Sequence, residues 1–251
     1  MDSIRYAALA LLALGASPVS AEPAAVEFSS GDDQVTLIEL YTSEGCSSCP
    51  PAERWLNSLK LEPGLFEDFV PVALHVDYWD YIGWKDRFAN SRYSDRQRRY
   101  AAEGAARGVY TPGVFADGQA WLGWRKGRSI ASQPATPGKL SVQVDGRDIA
   151  ATFSPSGEEY EDLVLYVVVL GMGFETQVRA GENRGRTLTH DFVALGMRST
   201  PLELMEEHFT ADTSLPELSL TPDELALVAW VAERGSQAPI QAVGGYMPSG
   251  S

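Results

Sequence analysis

Cysteine is scarce in this 251-residue chain, which has only Cys46 and Cys49. A small scaffold held together by many disulfides is therefore excluded. Basic residues are also few, because 20 lysines and arginines stand against 34 acids. The resulting net charge of −14 argues against binding to a nucleic-acid backbone as the main function. What is present, 44% apolar and 22% charged residues, is typical of a globular protein of one or two domains.

The first 21 residues have the pattern of a secretory signal peptide. Arg5 supplies a positive charge, an unbroken apolar run covers residues 6–14, and a small-residue ending stops at Ala21. Nine apolar residues are too few to cross about 30 Å of hydrocarbon at about 1.5 Å per residue. The pattern predicts cleavage after Ala21, a secreted or periplasmic location, and no membrane span in the mature chain.

The remaining sequence predicts two domains of different architecture. Residues 33–131 alternate as strand, helix, strand, helix and two further strands, which indicates an α/β domain. Residues 132–138 (SQPATPG) form a linker rich in proline, glycine and serine. Residues 139–251 contain short strands with glycine-rich turns, so we expect a small antiparallel β-sandwich. The predicted fold class is α+β.

The two cysteines form a Cys-Ser-Ser-Cys motif between a predicted strand and a predicted helix. This placement is typical of a redox centre, in which one thiolate attacks a foreign disulfide and the second thiol resolves the mixed disulfide. The alternative is a structural disulfide in an oxidising compartment. A loop of about four residues would gain only about 2 kcal/mol from such a cross-link, which favours the redox interpretation.

Longer blocks of sequence resemble a known family. The strand, the cysteine motif, the helix and the later Thr111-Pro112 are similar to a thioredoxin-like domain. The blocks TLIELYTSEGCSSCPPAE, ALHVDYWDYIGWKDRFA, RQRRYAA with VYTP, and GENRGRTLTHDFV resemble the secreted bacterial family catalogued as domain of unknown function 1223. The resemblance implies a thioredoxin-like fold for the first domain, an exposed attacking thiol at Cys46 and a resolving thiol at Cys49. It also implies that Pro112 is a cis-proline and that Thr111 pairs with substrate.

Two ionisable residues in the predicted strands are candidates for the same site. Glu39 lies in an otherwise apolar strand, where it could accept the proton of the Cys49 thiol. The alternative is a surface position on an edge strand. His75 ends the second strand and could bind a soft metal such as copper together with Cys46 and Cys49. The alternative is a histidine hydrogen-bonded inside the fold.

Aromatic residues are concentrated after the second strand. Tyr78, Trp79 and Trp84 could line a substrate groove, or they could cover a hydrophobic core. The arginine-rich run at residues 92–99 is expected to be a solvated helix face, and His190 is expected to be structural.

Together these features predict an exported thiol–disulfide oxidoreductase that acts on exported proteins bearing thiols or disulfides. We expect it to need no cofactor and to bind no nucleic acid. One alternative is a thioredoxin-like copper or metal chaperone that uses Cys46, Cys49 and His75. Another is a redox-silent binding protein with a structural disulfide.

Overall fold

A computed structural model describes residues 25–130 and 134–248 of the protein. The predicted signal peptide, residues 1–21, and part of the predicted linker lie outside these described residues. Within them, strands account for 42% and helices for 14% of the residues. None of the described helices is both long enough and apolar enough to cross a membrane.

The described residues contain two α-helices, three short 3₁₀ helices and fifteen strands. The α-helices are α1 (Pro50–Ser58) and α2 (Ser91–Ala102), and the 3₁₀ helices are Leu59–Leu61, Asp80–Ile82 and Gly123–Lys126. The first seven strands are β1 (Val26–Ser29), β2 (Thr36–Thr42), β3 (Phe69–His75), β4 (Gly113–Ala116), β5 (Gln119–Ala120), β6 (Gly138–Asp145) and β7 (Asp148–Pro155). The others are β8 (Leu163–Gly171), β9 (Phe174–Gln177), β10 (Thr187–His190), β11 (Val193–Pro201), β12 (Glu203–Met205), β13 (His208–Ser214), β14 (Leu225–Glu233) and β15 (Gln241–Tyr246).

Three sheets are built from these strands. The largest has eight strands in the order β15-β14-β8-β11-β3-β2-β4-β5. Strand β3 runs parallel to both β2 and β11, whereas the other neighbours in this sheet are antiparallel. A five-stranded sheet has the order β1-β6-β7-β13-β12, and β9 pairs with β10 as a separate antiparallel ribbon.

The long apolar strands of the eight-stranded sheet divide the interior into two cores. Alternate residues of β8 point to opposite faces, as the period of two in a strand requires. Leu165 and Val167 belong to the core shared with the five-stranded sheet. Val168 and Leu170 belong to the core shared with the helices. Burial on both faces explains why this strand has an unbroken apolar sequence.

Strand β2 is buried along its whole length and has a helix on each face. The side chain of Glu39 contacts α2 through Arg96, whereas that of Thr42 contacts α1 through Glu53. Residues 39 and 42 therefore face opposite sides of the sheet. The contact between Thr42 and Glu53 places the carboxyl end of β2 next to the first turn of α1.

The predicted fold class is wrong, because the chain does not form a thioredoxin-like domain followed by a separate small β-sandwich. The amide of Ala73 in β3 donates to the carbonyl of Phe192, 2.8 Å away, at the start of β11. Strands from both predicted units therefore share the eight-stranded sheet. The physical reason is that β3 is buried along its length and needs hydrogen-bonding partners on both edges. The sequence pattern does not reveal which strand supplies the second partner.

Candidate functional site

Cys46 and Cys49 form a disulfide at the start of α1, which confirms the predicted pair. Their Cα atoms are 5.5 Å apart, and Cys49 is the N-cap of the helix. The intervening Ser47 and Ser48 are exposed to solvent. Both cysteines are buried, with 1% of Cys46 and none of Cys49 exposed. The expectation of an exposed Cys46 is therefore wrong for this conformation.

A turn between β9 and β10 is hydrogen-bonded to the disulfide loop. Glu182 accepts hydrogen bonds from the amide of Ser47, at 3.0 Å, and from its hydroxyl, at 2.7 Å. These bonds lower the pKa of Glu182. The side-chain amide of the buried Asn183 donates to the carbonyls of Glu44, at 2.9 Å, and Cys46, at 2.8 Å. We call the turn that carries Glu182 and Asn183 the clamp turn.

Thr111 lies beside the same loop. Its carbonyl accepts a hydrogen bond from the Ser48 hydroxyl at 3.5 Å, and the Thr111–Pro112 peptide bond is cis, as the resemblance implies. The indole of Trp79 donates to the Thr111 hydroxyl at 2.7 Å. Two of the predicted substrate-binding residues, Thr111 and Trp79, are thus brought together next to the disulfide loop.

The other two predicted aromatic residues have different partners. The hydroxyl of Tyr78 donates to the side chain of Gln97 at 2.9 Å. The indole of Trp84 donates to Glu44 Oε2 at 2.7 Å. Tyr78, Trp79 and Trp84 are all partly buried, and each is anchored by a hydrogen bond. Tyr78 and Trp79 therefore both lie next to Thr111, whereas Trp84 is anchored to Glu44 instead.

Glu39 does not occupy the position predicted for it. Its carboxylate accepts hydrogen bonds from Arg96 Nε at 2.6 Å and Nη2 at 3.2 Å, and from the hydroxyls of Tyr41 and Tyr100. Burial lowers the pKa of Arg96, but Glu39 outweighs this effect and raises that pKa well above its ordinary value. With both oxygens engaged on the α2 side of β2, Glu39 is part of a buried ion pair. The structure does not support its assignment as the proton acceptor of Cys49.

Five buried ionisable residues instead form a cluster on segments next to the disulfide. We call Glu44, Glu53, His75, Asp86 and His190 the His–carboxylate cluster. His75 Nδ1 lies 2.7 Å from Asp86 Oδ2. His190 lies between two acids, with Nε2 3.3 Å from Glu44 Oε1 and Nδ1 3.3 Å from Glu53 Oε2. The centroids of the two imidazole rings are 5.2 Å apart.

The charges in the cluster stabilise one another. Burial lowers the pKa of His190, but Glu44 and Glu53 outweigh it and raise that pKa to about 10. Burial raises the pKa of Glu53, yet His190 brings it below its ordinary value. In the same way His75 outweighs burial and lowers the pKa of Asp86. The ionised forms of Glu53 and Asp86 and the protonated form of His190 are therefore favoured in the cluster.

The predicted metal alternative grouped His75 with the two cysteines, and the structure groups it differently. Among the described residues, one set of three potential ligands lies close enough to hold an ion, namely Glu53, His75 and His190. One ligand atom of each lies within 4.8 Å of the others. The cysteines do not belong to this set.

Sequence reasoning missed several residues of this site. They are Glu44, Glu53, Asp86, Glu182, Asn183 and the cluster role of His190. All of them lie inside the sequence blocks that carry the family resemblance. The concentration of polar residues in those blocks is the signal that could have identified them.

Comparisons with known proteins agree with the architecture. A structure of a protein from Agrobacterium tumefaciens is 20% identical, with a TM-score of 0.58 over 86% of this chain and 94% of that one. The structure of HBP35 of Porphyromonas gingivalis is 14% identical, with a TM-score of 0.56 over 87% of this chain and 76% of that one. At these identities the likeness concerns the fold alone. No curated protein matches the sequence.

The sequence profile of one protein family matches residues 37–232, which include the disulfide, the clamp turn and the whole His–carboxylate cluster. This protein therefore belongs to the family described as "Protein of unknown function (DUF1223)".

Proposed function

We propose that this protein is an exported thiol–disulfide oxidoreductase that exchanges its Cys46–Cys49 disulfide with thiols or disulfides of other exported proteins. The observation that carries the proposal is the position of this disulfide, at the start of α1 and beside the backbone of Thr111. A substrate segment that contacts Thr111 would have its own sulfur close to Cys46. No cofactor is needed for this exchange.

The energetics of the disulfide support a reactive function. A loop of four residues gains only about 2 kcal/mol from a cross-link in the chain-entropy description, against about 3 kcal/mol for fifteen residues. The α1 dipole stabilises negative charge at the first turn. Pro50 and Pro51 supply no amide there, so this stabilisation comes from the dipole alone. Cys49, as the N-cap, is therefore a favourable leaving thiolate.

The exchange proceeds in two displacements. A substrate thiolate attacks Cys46 Sγ, a substrate–Cys46 bond forms, and the Cys46–Cys49 bond breaks with the electron pair leaving on Cys49. A second substrate thiolate then attacks the substrate sulfur of this mixed disulfide and releases Cys46 as a thiolate. The substrate dithiol is oxidised by two electrons and both cysteines are reduced. The two protons released by the substrate thiols pass to the cysteines or to solvent. Reduction of a substrate disulfide is the same sequence reversed.

The burial of Cys46 requires one conformational step before this chemistry. The clamp turn holds the amide of Ser47 and the carbonyl of Cys46, so an attacking thiolate must first displace this turn. Because Glu182 is exposed, its bonds to Ser47 compete with water and are the easier ones to break. The proposal thus includes an opening of the clamp turn.

Single-cysteine variants test the proposal. Glutathione disulfide is incubated with Cys49→Ser and with Cys46→Ser, and mass spectrometry follows the mixed disulfide. In Cys49→Ser the Cys46 thiolate attacks the probe, releases one glutathione, and has no partner to resolve the adduct. We expect this adduct to form at least tenfold faster than the one in Cys46→Ser, because Cys46 adjoins the exposed Ser47 whereas Cys49 is fully buried and out of reach of the probe.

The double variant Cys46→Ser/Cys49→Ser supplies the background. If both single variants reacted equally slowly, at the rate of a denatured thiol with an ordinary pKa, the disulfide would be structural and the proposal would fail.

A further inference from the structure

We propose that Glu53, His75 and His190 form a binding site for a divalent transition-metal ion, with Zn²⁺ the ion that fits best. One carboxylate and two imidazoles make a donor set that suits Zn²⁺. The potential ligand atoms of all three residues lie within 4.8 Å of one another. This inference does not depend on the redox proposal and uses neither cysteine.

Buried histidine nitrogens without hydrogen-bond partners support this site. His75 Nε2 and both ring nitrogens of His190 have no hydrogen-bond partner, although both side chains are 1% exposed. His190 forms ion pairs with Glu44 and Glu53 at 3.3 Å, but neither contact has hydrogen-bond geometry. A buried polar atom left unsatisfied costs about 1–3 kcal/mol. Several such atoms in one cluster point to a missing common partner.

Carboxylates also lie next to the second ring nitrogen of each histidine. A histidine that binds a metal usually donates its other ring nitrogen to a carboxylate. His75 Nδ1 lies 2.7 Å from the buried Asp86, which leaves Nε2 with a free lone pair. In His190, Nε2 lies 3.3 Å from Glu44, which leaves Nδ1 on the side of Glu53. Each histidine thus has a carboxylate next to the nitrogen that would not bind the ion, hydrogen-bonded in the case of His75 and in ion-pair contact in the case of His190.

Hydrogen bonds also fix the orientation of the two glutamates next to His190. Glu53 Oε1 accepts a hydrogen bond of 2.5 Å from the Thr42 hydroxyl, and Oε2 faces His190 Nδ1 at 3.3 Å. The indole of Trp84 holds Glu44 Oε2 at 2.7 Å, and thereby fixes Glu44 next to His190.

The one ligand–ligand distance that is defined agrees with zinc. In a tetrahedral site with metal–ligand bonds of about 2.0–2.1 Å, neighbouring ligand atoms are about 3.3 Å apart. His190 Nδ1 and Glu53 Oε2 are separated by 3.3 Å. Three protein ligands leave the fourth position for water, the coordination found in catalytic zinc sites.

Zinc binding to the oxidised chain tests the inference. The protein is stripped with a chelator and incubated with Zn²⁺ alone until its melting temperature is constant, and bound zinc is counted after gel filtration. We expect one zinc per chain and a higher melting temperature. His190→Gln and Glu53→Gln should each weaken binding at least tenfold.

The chain offers a matched control, because His208 is its third histidine and lies exposed on β13, outside the cluster. His208→Gln and Cys46→Ser/Cys49→Ser should both retain full binding. The inference is overturned if the natural chain binds no zinc, if both ligand variants bind it unchanged, or if the double cysteine variant loses it. Loss in the cysteine variant would instead assign the ion to the thiols.

X-ray absorption of the zinc-loaded natural chain decides the question even if the ligand variants do not fold. A shell of nitrogen and oxygen at about 2.0–2.2 Å with imidazole scattering supports the site. A sulfur shell at about 2.3 Å, or oxygen ligands alone, overturns it.

Discussion

Arg96 is fully buried, and its guanidinium is enclosed by specific partners. It donates to both oxygens of Glu39 and to the side chain and carbonyl of Gln237. Its charge also lies 4.9 Å from the ring centroid of Trp230 and 5.2 Å from that of Tyr166. Because its partners come from β2, β8, β14 and the segment before β15, Arg96 connects distant parts of the chain.

Removing this arginine is predicted to destabilise the protein strongly. Arg96→Ala leaves Glu39 as an uncompensated buried carboxylate, a change that typically costs about 3–5 kcal/mol. Urea unfolding followed by tryptophan fluorescence measures the loss of unfolding free energy.

Arg98 supplies the comparison on the same helix, since it pairs with Asp95 while 51% of its side chain is exposed. Arg98→Ala is expected to cost no more than about 1 kcal/mol. If Arg96→Ala and Arg98→Ala lowered the unfolding free energy equally, the buried ion pair would contribute no more to stability than a surface ion pair.

The sequence predicted the disulfide and the location of the site, but not the partners of single charged residues. Arg96 lies in an arginine-rich run that was expected to be solvated, and this is correct for Arg98 but wrong for Arg96. Two residues are a little over half a helical turn, so neighbours in such a run can face opposite sides. Only the tertiary position of α2 against β2 decides which of them is buried.

The clamp turn is the element that fixes the disulfide loop by hydrogen bonds. Asn183 is fully buried, and its side-chain amide satisfies two backbone carbonyls of the disulfide loop. The preceding Gly181 has a φ of +72°, and an added Cβ would lie 3.1 Å from Ile82 and 3.3 Å from Trp84. Glycine therefore permits both the backbone conformation and the close approach of this turn.

Loosening the clamp turn is predicted to speed reduction of the disulfide. Asn183→Ala removes two buried hydrogen bonds and favours the open conformation by about 1–3 kcal/mol, or roughly 5- to 150-fold in its population. The rate of reduction by a limiting amount of dithiothreitol should rise by a comparable factor, as measured by alkylation and mass spectrometry.

Glu217→Ala is a suitable comparison. The side chain of Glu217 pairs with Arg147, is 90% exposed, and does not contact the disulfide loop. Its reduction rate should match that of the natural protein. An unchanged rate in Asn183→Ala would mean that the turn does not limit access.

The whole molecule is organised by one sheet that joins the two halves of the chain. The apolar runs at residues 35–41 and 163–170 are strong local signals for the strands β2 and β8. The apolar positions of residues 225–232 fit the periods of both a helix and a strand, and these residues form β14. The parallel pairing of β11 with β3 could not be predicted, since it joins segments about 120 residues apart without a local sequence signal.

This continuity predicts cooperative folding. A fragment ending near residue 138 loses β11, β8 and β14, and so exposes the buried edge of β3 and one side of the helix-facing core. We expect this fragment to be unfolded by circular dichroism and the full chain to melt in one transition. A fragment that melts cooperatively by itself would restore two independent domains.

The reduction potential of the Cys46–Cys49 pair tests the proposed function most directly. The full chain is equilibrated in buffers with different ratios of reduced to oxidised dithiothreitol and is then quenched in acid and alkylated. Mass spectrometry measures the reduced fraction. A pair that exchanges with protein thiols should have a potential above about −300 mV, within the range of about −270 to −120 mV of known oxidoreductases. A potential well below about −300 mV, typical of structural disulfides, would contradict the account.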